Sequence, residues 1–219
     1  MAPIPPPSNL PPGTTTEPIT AHRLTSYTTT PFATVIQRFR TLVPQVDLRN
    51  LRSQTSAEGI RNVIESTLKQ SDAHFGDYQK QFVLFYELNH SHWIRHFNTE
   101  PTASTLSSHI IGELSKNPSA ENVRHRGRGL IRFIFGNPLI AAGILKEDVE
   151  AGLHVPVECM FVETGEKNVA GTKMVVIMPG GLIARDRNEE TSETEGETLR
   201  LKVAELEAKI LKLVEELMK

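Results

Sequence analysis

Cysteine is almost missing from this chain: Cys159 stands alone among 219 residues. One thiol excludes an internal disulfide and suits a reducing compartment. Long apolar runs are missing as well; none approaches the roughly 18 residues of a membrane-spanning helix. The N-terminus lacks the basic start and apolar core of a secretion signal. No one sign of charge dominates, with 24 Lys plus Arg against 26 Asp plus Glu and a net charge of −2. That balance excludes a whole-protein electrostatic grip on nucleic acid or on an anionic membrane. Gly-x-Ser-x-Gly, a phosphate-cradling Gly-x-x-x-x-Gly-Lys and a dinucleotide fingerprint are all absent. The expectation is a soluble cytoplasmic protein with no nucleic-acid or membrane partner. The sequence names no cofactor and no reaction.

Proline is plentiful but unevenly placed: 8 of the 14 prolines fall in the first 31 residues. Proline fixes φ and removes a donor, so residues 1–21 read as a disordered Pro/Thr-rich tail in extended conformations. The same stretch could serve as a docking peptide for a proline-recognising partner. With hydrophobic residues at 38%, below the usual globular share, some of the chain should lie outside any core.

An α+β domain is expected over 22–183. His22–Thr29 suits a strand. Thr30-Pro31 then opens a helix, whose stripe Phe32, Val35, Ile36, Phe39, Leu42 and Val43 ends at Pro44. Ser56-Ala57-Glu58 opens another, with Ile60, Val63, Ile64 and Leu68 on its buried face. Gln81–Leu88 reads as a buried strand. Trp93, Ile94 and Phe97 suggest a helix, and Leu106, Ile110, Ile111 and Leu114 another. Gly129–Phe135 is a strand broken by Gly136-Asn137-Pro138, and a helix runs from Pro138 to about Glu150. Val155–Glu163 and Thr172–Met178 pair as a hairpin. Pro179-Gly180-Gly181 is expected to end the globular part, followed by an acidic linker over 184–198.

From 199 to 219 the pattern becomes a heptad. Leu199, Val203, Leu206, Ile210, Leu213 and Leu217 are spaced by 4, 3, 4, 3 and 4 residues. β-Branched residues at one seam position and Leu at the other favour a parallel pair of helices. The expectation is a coiled-coil-like helix joining two copies into a homodimer, with Lys202 facing Glu207 between chains. The alternative is one helix folding back onto its own domain, because Leu201, Leu211, Val214 and Met218 widen the apolar face.

Few residues point to chemistry. Cys159 lies mid-strand and reads as a small core residue. His90, His92 and His96 cluster around Trp93, and His92 and His96 have the spacing of a helical metal pair. Surface or capping histidines explain the same pattern. Arg124-His125-Arg126-Gly127-Arg128 is a compact basic turn able to hold an anion through Arg forks; it reads equally as a solvated connection.

One segment resembles a known family. Ile134-Phe135-Gly136-Asn137-Pro138, a helix, then Gly152-Leu153-His154-Val155-Pro156-Val157 and a strand ending Phe161-Val162-Glu163 resemble the "domain of unknown function 302" family. Leu88-Asn89-His90 partly matches that family's Ile-Asp-His. The resemblance spans about residues 22–44, 79–97 and 129–180, with insertions over about 45–78 and 98–128. Asn89 stands where the family has Asp, and Gly143-Ile144 replaces its Gly-Thr-Pro. The resemblance implies an antiparallel sheet with helices packed on one face, often paired as a dimer, and no established enzyme activity. Gly136 and Asn137 are expected to take positive φ at a sharp corner. The free N–H groups of the helix after it could then receive an anion or His90; a plain structural corner is the alternative.

The expected function is a non-enzymatic, homo-oligomeric domain binding a small ligand or protein partner. Its candidate ligand residues are His90, Phe135, Gly136, Asn137 and Pro138. The alternative is a small metal- or cofactor-dependent enzyme using His90, His92 and His96.

Overall fold

The computed structural model describes residues 11–14, 16, 19–70, 79–94, 129–164, 171–184 and 193–219. The first ten residues of the proline-rich tail, the candidate helix around Ile110, the basic turn 124–128 and His96 lie outside the described residues.

Alternation of large apolar and polar side chains builds the sheet. Strands β1 (Arg23–Thr28), β2 (Val83–Asn89), β3 (Leu130–Gly136), β4 (Val157–Thr164) and β5 (Gly171–Ile177) follow in chain order. They form one five-stranded sheet in the order β1-β5-β4-β3-β2, antiparallel throughout. The register aligns Phe133 with Cys159, Cys159 with Val176 and Val176 with Leu24. One face therefore carries a continuous apolar row, because a period of two sends alternate residues to the same side. The expected hairpin is β4–β5.

Helix α1 (Phe32–Leu42) lies on that face with Val35, Ile36, Phe39 and Leu42 buried. Pro31 itself caps it, rather than the expected Thr30, whose hydroxyl accepts a hydrogen bond from Thr28 at 3.1 Å. Phe39 stacks on Phe133 at 4.4 Å between ring centres and meets Phe135 and Phe161 edge-on at 5.6 and 5.3 Å. Such pairs add about 0.5–1.5 kcal/mol each beyond their buried area.

Helices α2 (Leu48–Ser53) and α3 (Ala57–Lys69) occupy the first expected insertion. Asp47 caps α2 through the N–H groups of Arg49 and Asn50, and Ser56 caps α3 through Gly59. Val63 and Ile64 of α3 join Val46 and Val83 in a second, smaller apolar cluster. A short α4 (Ser91–Ile94) follows β2.

After β3 comes α5 (Pro138–Leu145), which stops five residues short of the expected Glu150. The carboxylate of Asp148 accepts the N–H of Glu150 at 2.9 Å and starts a separate 3₁₀ turn over Val149–Leu153. Asp favours such local capping over continued helix.

Pro179-Gly180-Gly181 does not end the globular part. A single turn α6 (Gly180–Ile183) leads to α7 (Glu193–Met218), which begins inside the expected acidic linker. Glutamate propagates helix readily and its charge suits the positive helix start.

The expected intermolecular seam is corrected by the packing of α7. Leu199, Val203, Leu206, Ile210, Leu213 and Leu217 are 0–7% exposed within one chain and belong to the main core, as does Val214. A coiled-coil seam and the apolar stripe of a core helix share the same spacing, and here α1 and the sheet fill the partner's place. Lys202 and Glu207 both have partners within the chain. Lys202 donates to the carbonyl of Gly143 at 3.0 Å and pairs with Glu147, while Glu207 accepts the N–H of Gly180 at 2.7 Å. Near the helix end Arg38 donates to the carbonyl of Leu217 at 3.1 Å. Both polar groups expected to specify a dimer instead fasten α7 to its own domain.

Candidate functional site: an apolar cavity at the strand-to-helix corner

The corner where β3 hands over to α5 is built without left-handed backbone. Asn137 is extended (φ −139°, ψ 114°), and Gly13 is the one residue with positive φ among those described. The expected positive-φ reversal at Gly136 and Asn137 is thus replaced by a helix cap. Asn137 Oδ1 accepts the N–H of Leu139 at 2.9 Å, its Nδ2 donates to the carbonyl of Gln81 at 2.9 Å, and Pro138 supplies the preset first turn. Capping satisfies the Leu139 N–H, one of those that the sequence offered to an anion.

Glycine at 136 answers a need for space. A Cβ there would lie 3.2 Å from Pro156 Cβ and 3.3 Å from Phe85 Cε2. Phe85 occupies a register shift between Leu84 and Tyr86 in the β2–β3 pairing. An extra residue of this kind re-aims its side chain, and Phe85 becomes one wall of a cavity.

That cavity measures about 260 Å³. Gly136, Asn137 and Pro138 form its base; Ile140, Ala141, Ala142 and Leu145 of α5 form one side. Val155, Pro156 and Val157 line it as well, together with Phe85 and with Leu206 of α7. Asn137 is the one lining residue with a polar side chain, and both ends of its amide are already bonded within the corner. No lining residue is an acid, a base or a nucleophile. An apolar cavity of about 150 Å³ can hold benzene, so this one has room for a ring or a short hydrocarbon chain. Chemically it can exclude water from an apolar group; it offers nothing that moves a proton.

The five candidate ligand residues separate in space. Gly136, Asn137 and Pro138 line the cavity, whereas Phe135 is fully buried in the main core against Phe39 and Phe82. His90 sits at the far end of the sheet, its N–H bonded to the carbonyl of Leu130 at 2.9 Å. Leu130 and Gly136 are the two ends of β3, about 20 Å apart at roughly 3.3 Å per residue. His90 cannot serve the corner.

The histidine cluster gains no support. Nδ1 of His90 accepts from the Trp93 indole N–H at 3.2 Å, and His92 is exposed on α4. Among the described residues no group of three His, Cys, Asp or Glu side chains could hold a metal ion. Cys159 is buried, and desolvation pushes its thiol well above the ordinary value, which keeps it protonated and unreactive.

Sequence reading reached the base of the cavity and missed its walls. Ala141 and Ala142 carried one faint signal, a run of small side chains on a helix where large ones would fill the space, and the bulged Phe85 carried none.

No family model matches the chain, and no curated protein matches it. Among solved structures it is similar to an uncharacterized conserved protein DUF302 from Bacillus stearothermophilus, at 12% identity, with 89% of this chain and 96% of that chain covered and a TM-score of 0.46. That protein bears the name of the family that the Ile134–Glu163 segment resembles. Among the described residues no helix is long and apolar enough to cross a membrane.

Proposed function

We propose that this protein is a non-enzymatic binding domain whose corner cavity takes a small apolar molecule, or the apolar end of a larger one. The observation that carries this reading is the lining: apolar on every side, with the amide of Asn137 already committed to the backbone. A ligand that needs hydrogen bonds would lose them on entering, whereas a hydrocarbon group loses only its contact with water.

Benzene and toluene should raise the melting temperature progressively with the logarithm of their concentration once it exceeds Kd, as any ligand of the native state does. Ala141→Leu, which places three more carbons in the cavity, should weaken benzene binding at least tenfold while the protein stays folded. A melting temperature that no apolar probe moves would remove the reading.

A further inference from the structure

We propose, resting on that reading of the cavity, that the ligand is a single-chain amphiphile. Its hydrocarbon tail fills the cavity and leaves it across the turn Val149–Leu153, with the head group in water. Val149 and Leu153 are the most exposed large hydrophobic side chains among the described residues, at 80% and 85%. Both belong to one turn. The chain departs for that turn from Leu145 and returns from it to Val155, and both of these line the cavity. A Cβ placed on Gly152 would lie 3.6 Å from Leu145 Cδ2, so the turn rests against the cavity wall.

The exposure of this pair is fixed by the fold. Ala151 between them is buried, and its carbonyl accepts the N–H groups of His154 and Val155 at 2.8 and 3.1 Å. The carboxylate of Asp148 holds the other end of the turn at Glu150. Isolated exposed hydrophobics are ordinary, but these two sit on one fastened turn that rests against a wall of the cavity. Ala142 and Pro156 line the cavity and are themselves exposed, one shortly before the turn in the chain and one shortly after it.

Volume then selects the occupant. About 260 Å³ accommodates only the end of a long tail. Any further methylenes must lie outside, and Val149 and Leu153 supply apolar surface for them. A hydrocarbon tail covers Val149 and Leu153 without needing hydrogen bonds from them, and the exposed carboxylate of Glu150 in the same turn stays in water.

The test is calorimetric titration of the full chain with n-alkanols from butanol to decanol, with benzene as a probe of the cavity alone. Affinity should rise about fourfold per methylene through decanol, the usual gain for burying a CH₂ group. The double variant Val149→Ser, Leu153→Ser should flatten that rise for the longest alcohols and leave benzene binding unchanged. A rise that stops at the same chain length in both proteins overturns the proposal, leaves the cavity reading intact and gives the rim to a protein partner. Failure of benzene to bind overturns the cavity reading, and the proposal falls with it.

Discussion

Beneath α7, Val203, Ile210 and Leu213 pack against the main core and are almost wholly shut off from water. At the corner of β3 and α5 an equally apolar set of residues leaves about 260 Å³ unfilled. The two regions share Leu206, which belongs to the core cluster and also lines the cavity. They differ in the size of what the sheet and helices present. The core is filled by Phe39, Phe133 and Phe161, stacked or edge-on within 5.7 Å of one another. The corner presents Gly136, Ala141 and Ala142. Polarity does not distinguish a core from a binding site here; filled volume does.

Three substitutions sharpen that contrast, the largest effect first. Ile210→Ala removes a fully buried side chain of α7, and urea denaturation should register a loss of about 2–5 kcal/mol. Thiol labelling of Cys159, buried in the same core, should become faster in that variant. An unchanged stability together with a halved mass in solution would instead restore the intermolecular seam. Glu207→Ala deprives the Gly180 N–H of its acceptor and loosens the start of α6. The expected cost is about 1–3 kcal/mol by the same measurement, and a value near zero would mean that α7 is held by apolar packing alone. Arg40→Ala removes a two-pronged pair with Glu87 at 2.6 and 2.9 Å. Hydrogen bonding to Glu87 raises the Arg40 pKa above its ordinary value, but half-exposed pairs of this kind contribute only about 0.2–1 kcal/mol. That small loss should shrink further in high salt, and a loss that salt leaves unchanged would point to packing by the arginine stem instead.

Much of the fold could be read from periodicity. Val35, Ile36 and Phe39 at helical spacing, and Phe133 with Phe135, Cys159 with Phe161 and Met174 with Val176 at strand spacing, announced their elements because local geometry repeats with the same period as burial. Ser56 and the Asn137-Pro138 pair announced helix starts through the N–H groups they satisfy or replace. The helix at Leu48–Ser53 escaped notice since it is short and its cap, Asp47, precedes no long apolar stripe. The distance between His90 and Gly136 was also illegible. Each adjoins a strand end, and only the antiparallel register shows that the two ends are opposite ones.

By itself the sequence determined which stretches become helix or strand, where the caps lie and which faces must be hidden from water, for these follow from interactions between residues a few positions apart. Tertiary structure alone decided what hides each face. The spacing of α7 suited a second copy as well as its own sheet, and the choice rested on whether the domain left a matching apolar surface within reach. It decided likewise that Gly136, Ala141 and Ala142, small residues remote from Phe85 and Leu206 in the chain, would meet them around a space. An unfilled volume belongs to no single segment and so leaves no period in the sequence.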